Sequence, residues 1–181
     1  MRLVILDRDG VINRDSDAYI KSPSEWVPLP GSLEAIARLK RAGYTVVVAS
    51  NQSGVGRGLF GPSTLNDIHE KMQTALAAFG AKLDGIYYCP HRPDEECTCR
   101  KPAPGLLQQI AAQFHVALDD VPAIGDSLRD LQAARAVHAR PILVLTGKGR
   151  DTQEHLPADF SNTEVYPDLA AAVDALLEER Q

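Results

Sequence analysis

Short apolar runs of strand length recur along this chain, and a stretch of helical period follows each of them. The runs cover residues 2–6, 44–49, 84–88, 121–124 and 141–145. Runs that apolar belong in strands buried on both faces, which is the signature of a parallel sheet. The helical stretches lie at about 32–42, 63–79, 105–114, 127–137 and 167–179. In the first, Ser32 reads as the N-cap, Leu33, Ile36, Ala37 and Leu39 share a face, and Gly43 ends the helix. In the second, Leu65, Ile68, Met72, Leu76 and Phe79 form the apolar face and Gly80 stops it. Strand–helix alternation with short connections predicts a Rossmann-like three-layer α/β/α fold around a central parallel sheet. The chain of 181 residues fits a single domain over 1–181, with no internal repeat or linker to divide it. Residues 50–62 hold four glycines and are expected as a sharply bent loop, and 147–162 as the least structured part.

Four polar motifs fall at predicted strand ends. Asp7-Arg8-Asp9-Gly10 follows the first strand and Ser50-Asn51-Gln52 the second. Arg100-Lys101-Pro102 precedes a helix, and Gly125-Asp126, with Asp130 four residues on, follows the fourth strand. The carboxyl ends of parallel strands share one edge, where ligands bind, so these motifs should converge. Their residue types suit phosphate ester hydrolysis. Asp7 can attack phosphorus as a carboxylate nucleophile, and Asp9 can protonate the leaving oxygen and later accept a proton from water. A carboxylate cannot approach a phosphate dianion unaided. Mg²⁺ bridging Asp7 and Asp126 would remove that obstacle, while Lys101, the Ser50 hydroxyl and the amides around Asn51 hold the other oxygens. Taken singly, each motif has an ordinary reading: a solvated or calcium-binding loop, a helix cap, a turn, a surface lysine. Their joint order at strand ends is what argues for a site.

All three cysteines lie within eleven residues, at Cys89, Cys97 and Cys99, with His91 between them. Three thiolates and an imidazole make a closed tetrahedral set for structural Zn²⁺. The competing readings are free thiols or a disulfide, and a Cys97–Cys99 bridge would be a strained small ring. The loop 89–99 therefore reads as a zinc loop inserted in the domain, delivering Arg100 and Lys101 to the site. The other four histidines, His69, His115, His138 and His155, have no metal spacing and read as ordinary surface or half-buried residues.

Composition narrows the partners. A net charge of -5 gives no basic field for nucleic acid or an anionic membrane. No apolar run approaches membrane-spanning length, and the opening run is too short for a signal peptide, so the chain reads as cytoplasmic. Monomer is the default expectation.

The four motifs resemble those of the haloacid dehalogenase superfamily over residues 7–130. The resemblance implies Asp7 as nucleophile, Asp9 as general acid/base, and Ser50 and Lys101 as phosphate ligands. It implies Mg²⁺ on Asp7, the Asp9 backbone carbonyl and Asp126. Large members carry a cap domain, and this chain leaves no room for one. The Cys-x-His…Cys-x-Cys-Arg-Lys-Pro run at 89–102 is similar to two phosphatase families, acting on D-glycero-D-manno-heptose 1,7-bisphosphate and on histidinol phosphate. Residues 50–60 (SNQSGVGRGLF) and 7–13 (DRDGVIN), with Asp15 and Tyr19, resemble the heptose enzymes. That implies removal of the C7 phosphate, in nucleotide-activated heptose and lipopolysaccharide synthesis. The implied substrate contacts come from Asp15–Ala18, Ser50, Asn51, Gln52, Ser53, Arg100 and Lys101. A bisphosphate needs cations for its unreacting phosphate; Arg100 can supply one, and Arg57 is either a second or a solvated glycine-loop charge. A phosphate-dependent binding module without turnover is the non-enzymatic alternative.

Overall fold

The computed structural model describes residues 1–180. Among them six parallel strands form one sheet: β1 (Arg2–Leu6), β2 (Tyr44–Asn51), β3 (Gly85–Cys89), β4 (Pro122–Gly125), β5 (Arg140–Val144) and β6 (Glu164–Tyr166). Their order is β3-β2-β1-β4-β5-β6. Seven helices accompany them: α1 (Ser32–Arg41), α2 (Ser53–Gly56), α3 (Pro62–Ala77), α4 (Gly105–Phe114), α5 (Leu128–Ala136), α6 (Gly149–Glu154) and α7 (Leu169–Glu178).

The strands alternate at period two between two cores. Val4 and Leu6 of β1, with Val46 and Val48 of β2, pack against α1, α3 and α7 through Ile36, Leu39, Ile68, Met72, Leu76 and Val173. Leu3, Ile5, Val47 and Ala49 face the other way, against Leu106, Leu107 and Ile110 of α4 and Ala133 and Ala134 of α5. Both faces are covered, as a parallel sheet requires. Each fully buried Val, Leu or Ile contributes about 1.5–3 kcal/mol of transfer free energy. The chain runs outward from β1 to β3, then returns to place β4 on the other side of β1. That reversal opens a crevice at the carboxyl ends of β1 and β4, the switch point where open α/β sheets bind ligands.

Several expectations need correction. Gly31, not Ser32, is the N-cap of α1, with a left-handed φ of 81°; the Ser32 hydroxyl instead donates to the Val11 carbonyl at 2.8 Å. α3 ends at Ala77, which leaves Phe79 outside the apolar face and 40 % exposed. The loop 50–62 contains the short helix α2, whose glycines permit close packing. The Gly56 amide donates to the Pro90 carbonyl at 2.9 Å, and a Cβ there would lie 2.5 Å from the same oxygen. The stretch 147–162 is ordered into α6 and a 3₁₀ turn at Ala158–Phe160, and leads into β6. The sixth strand has no apolar run to announce it. Glu164-Val165-Tyr166 is a half-buried edge strand, and its register is held from β5, where Arg140 Nε and Nη2 donate to the Glu164 carboxylate at 2.6 and 2.8 Å.

Gly10 shows how tightly the switch point is built. Its φ is +83°, and a Cβ would sit 2.0 Å from Asp126 Oδ2 and 3.2 Å from the Gly147 Cα. Gly10→Ala should destabilise the fold by about 1–3 kcal/mol through backbone strain and displace Asp126. Urea denaturation checks this; a variant of wild-type stability would show that the crevice is looser than described.

Candidate active site

The switch-point crevice is a cleft of about 340 Å³. Asp7 stands at its floor, immediately after β1, and Asp126 immediately after β4. Asp7, Asp126 and Asp130 each offer a carboxylate oxygen, and these lie within 4.8 Å of one another. Three negative charges so close need a cation. Lys101 is one: its Nζ donates to Asp7 Oδ1 at 3.2 Å, Asp130 Oδ1 at 2.5 Å and the Ala49 carbonyl at 2.7 Å. Burial works against its charge, but the Asp130 and Asp7 carboxylates outweigh that and hold Lys101 above its ordinary value.

One lysine does not neutralise the cluster. Burial and then the Asp130 charge raise Asp7 to about 7, against the opposing pull of Lys101. Burial, then Asp7 and Asp130, raise Asp126 to about 9, although the Lys148 amide donates to its Oδ2 at 2.9 Å. Asp130 alone is held below the ordinary range: burial opposes this, and Lys101 and Ser127 overcome it. Asp130 Oδ2 accepts from the Asp126 and Ser127 amides and the Ser127 hydroxyl, capping α5 in a capping box. It therefore positions Lys101 and α5, leaving Asp7 and Asp126 as the carboxylates with unmet demand for positive charge. This donor set suits an oxygen-seeking divalent cation.

Asp9, two residues beyond Asp7, has a partly exposed carboxylate on the same cleft, in contact with Arg8, Asn13 and Gln52. Ser50, at the end of β2, is buried beneath the cleft, where its hydroxyl accepts from Gln52 Nε2 at 2.7 Å. The Asn51 side chain faces Lys101: Oδ1 accepts from the Lys101 amide and Nδ2 donates to the Lys101 carbonyl, each at 3.0 Å. Asp15, Gln52, Ser53 and Arg100 all line the cleft.

Arg57 and Arg100 meet a third cation, Arg129 in the first turn of α5. Burial, with the charges of Arg129 and Arg57, holds Arg100 below its usual value. Among the described residues none of the three is paired with a carboxylate. Arg57 also lies over the Tyr19 ring, 5.6 Å from its centroid, and Tyr19 has a left-handed φ of 67°. Arg129 and Lys148 carry no sequence signal, since only folding brings them to the cleft. Asp130 does carry one, its Ser127-x-x-Asp spacing. His69 departs from its expected surface or half-buried setting: it is buried and touches Arg8.

Cys89, His91, Cys97 and Cys99 lie beside this rim, their donor atoms within 4.8 Å of one another. His91 Nδ1 is 3.3 Å from the sulfurs of both Cys89 and Cys99. Burial pushes the Cys89 thiol up to about 12, and the Arg100 amide draws Cys97 down to about 7. No disulfide joins the three, and the cluster can hold a metal ion. Arg100 Nη1 donates to the His91 carbonyl at 3.3 Å, tying the loop to the cationic rim. Among the described residues no helix is long and apolar enough to cross a membrane.

Comparison with known proteins gives a consistent set of relatives. A family model described as HAD-hydrolase-like matches residues 98–172. A D-glycero-beta-D-manno-heptose-1,7-bisphosphate 7-phosphatase from Bordetella bronchiseptica is 58 % identical over 181 residues, 99 % of each chain. One from Pseudomonas putida is 51 % identical over 177 residues, covering 98 % of this chain and all of that one. The crystal structure of the D,D-heptose 1,7-bisphosphate phosphatase from B. bronchiseptica, complexed with magnesium and phosphate, superposes with a TM-score of 0.95 at 57 % identity over 99 % of both chains.

The raised carboxyls set a pH dependence. Asp7 and Asp126 have a reference value of 3.8, below their values of about 7 and about 9 in the folded chain. The stability they contribute is thus present at low pH and lost as pH rises through those values. A divalent cation favours the ionised forms and reverses the loss. Added MgCl₂ should raise the melting temperature more at about pH 9 than at about pH 5. Thermal unfolding at both pH values measures this, and an equal or larger shift in acid would contradict it.

Proposed function

The chain belongs to the D-glycero-beta-D-manno-heptose-1,7-bisphosphate 7-phosphatase family of HAD-like hydrolases, and on that premise we propose that it removes the C7 phosphate and leaves heptose 1-phosphate. The observation that carries this reading is the meeting of Asp7, Lys101 and Asp126 at the switch point, with three arginines lining the same cleft that pair with no carboxylate among the described residues. The beta anomer in the relatives' names is the anomer we assign.

Asp7 attacks phosphorus, and the bond from phosphorus to the C7 oxygen breaks as Asp9 gives that oxygen its proton. Asp9, now a carboxylate, takes a proton from the water that attacks the aspartyl-phosphate, which frees Asp7 and inorganic phosphate. Mg²⁺, held by Asp7, the Asp9 carbonyl and Asp126, supplies the positive charge that lets a carboxylate meet a phosphate dianion. Lys101 anchors a phosphate oxygen, and the Ser50 hydroxyl, released from Gln52, serves another. Asp15, Gln52 and Ser53 face the sugar. Asn51 contributes by fixing the Lys101 backbone. The unreacting C1 phosphate sits with Arg100, Arg57 and Arg129.

Cys89, His91, Cys97 and Cys99 would hold Zn²⁺ in a structural role, because four protein ligands would leave no open position. Bound there, it would brace the loop that leads into Arg100 and Lys101. We assign the chain one phosphatase domain over 1–181 without a cap domain, acting as a monomer in the cytoplasm, on a small phosphorylated sugar and on neither nucleic acid nor membrane. The product feeds nucleotide-activated heptose and lipopolysaccharide synthesis.

The test is phosphate release with Mg²⁺ from both anomers of heptose 1,7-bisphosphate and from histidinol phosphate, side by side. The beta anomer should be preferred, with one phosphate released per molecule. Preference for histidinol phosphate would move the enzyme to that substrate, and no release from any of them would favour a binding module.

A further inference from the structure

Arg8 sits between the two carboxylates of the first motif, yet none of its surface reaches solvent. A buried guanidinium is expensive, and an apolar side chain of similar volume serves a core better. Its contacts point to a different use. Arg8 Nε and Nη2 both lie 2.9 Å from Asp9 Oδ1. Nη2 also donates to Gln52 Oε1 at 3.3 Å, and Nη1 lies 3.1 Å from His69 Nε2. Arginine only donates, so His69 Nε2 must accept and its ring is the neutral Nδ1–H tautomer. Gln52 closes the circuit: its Nε2 donates to Asp9 Oδ2 at 3.1 Å.

We infer that Arg8, braced by His69, is a positioning residue that fixes the Asp9 carboxyl for proton transfer. Asp9 Oδ1 receives Arg8 together with Asn13 Nδ2 at 2.9 Å. Oδ1 is thereby saturated with donors, and the transferable proton resides on Oδ2. From Oδ2 it passes to the leaving oxygen as the phosphorus–oxygen bond breaks and the bond to Asp7 forms. His69 lies 61 residues from Arg8 in sequence, on α3, and fixes the guanidinium from behind. This inference rests on Asp9 being the general acid/base.

Leaving-group dependence tests it in the full chain with Mg²⁺. A sugar oxygen needs a proton to leave, whereas 4-nitrophenolate does not. The measured quantity is the ratio of single-turnover rates, heptose 1,7-bisphosphate over 4-nitrophenyl phosphate. General acid catalysis contributes about 10²–10⁴-fold, so Asp9→Asn should lower that ratio by about that much and Arg8→Met by about 10²-fold. His69→Leu should lower it as well, and His69→Gln, which restores an acceptor at similar reach, should recover it. If Asp9→Asn lowers the ratio while Arg8→Met and His69→Leu slow both substrates in parallel, Arg8 is structural and the inference is overturned. If Asp9→Asn leaves the ratio unchanged, the acid/base assignment itself fails. Should Arg8→Met not fold, the two His69 variants decide the question.

Discussion

The Lys101 ammonium is the contact on which the rest of the site depends. It is buried, and it can stay charged there only because Asp7, Asp130 and the Ala49 carbonyl surround it. Those partners come from the turn after β1, from α5 and from β2, so one side chain joins three parts of the chain at the sheet edge. Removing a partner from such a group leaves an uncompensated buried charge, commonly a cost of about 3–5 kcal/mol. The same contact divides the acids by role. Asp130 is satisfied by Lys101 and its own cap, and Asp7 and Asp126 remain short of positive charge. The electrostatics of the cleft and its chemistry thus have one origin.

Lys101 is placed from two sides. Asn51 clasps its backbone amide and carbonyl, fixing the chain to the end of β2. The Cys/His loop ends two residues earlier, at Cys99, and has no strand or helix of its own to hold it. A metal there would substitute for secondary structure, and the Arg100 bond to the His91 carbonyl extends the same loop to the cationic rim. Both Lys101 and Arg100 therefore depend on this loop's shape.

The parts of the site carried by contiguous motifs were legible. Asp7, Asp9 and Asp126 follow strands whose apolar runs are plain, and a parallel sheet brings strand ends together whatever the loops do. Lys101 could be placed through its neighbours Cys99 and Pro102. What folding alone assembles was not legible. Arg129 and Lys148 enter the cleft from α5 and from the loop before α6, and His69 reaches Arg8 across 61 residues. β6 escaped notice because it is three half-buried residues long, with only Val165 and Tyr166 packed on the cores and Glu164 paired to Arg140. α2 escaped notice because its glycines serve close packing against Pro90.

The covalent role of Asp7 is the central claim, and trapping tests it most directly. The enzyme would be mixed with heptose 1,7-bisphosphate and Mg²⁺, quenched within one turnover, and reduced with borohydride, which converts an aspartyl-phosphate to homoserine. Peptide mass analysis should find homoserine at position 7 only when substrate was present. Reduction at another carboxylate, or an unmodified Asp7 during confirmed turnover, would contradict the account.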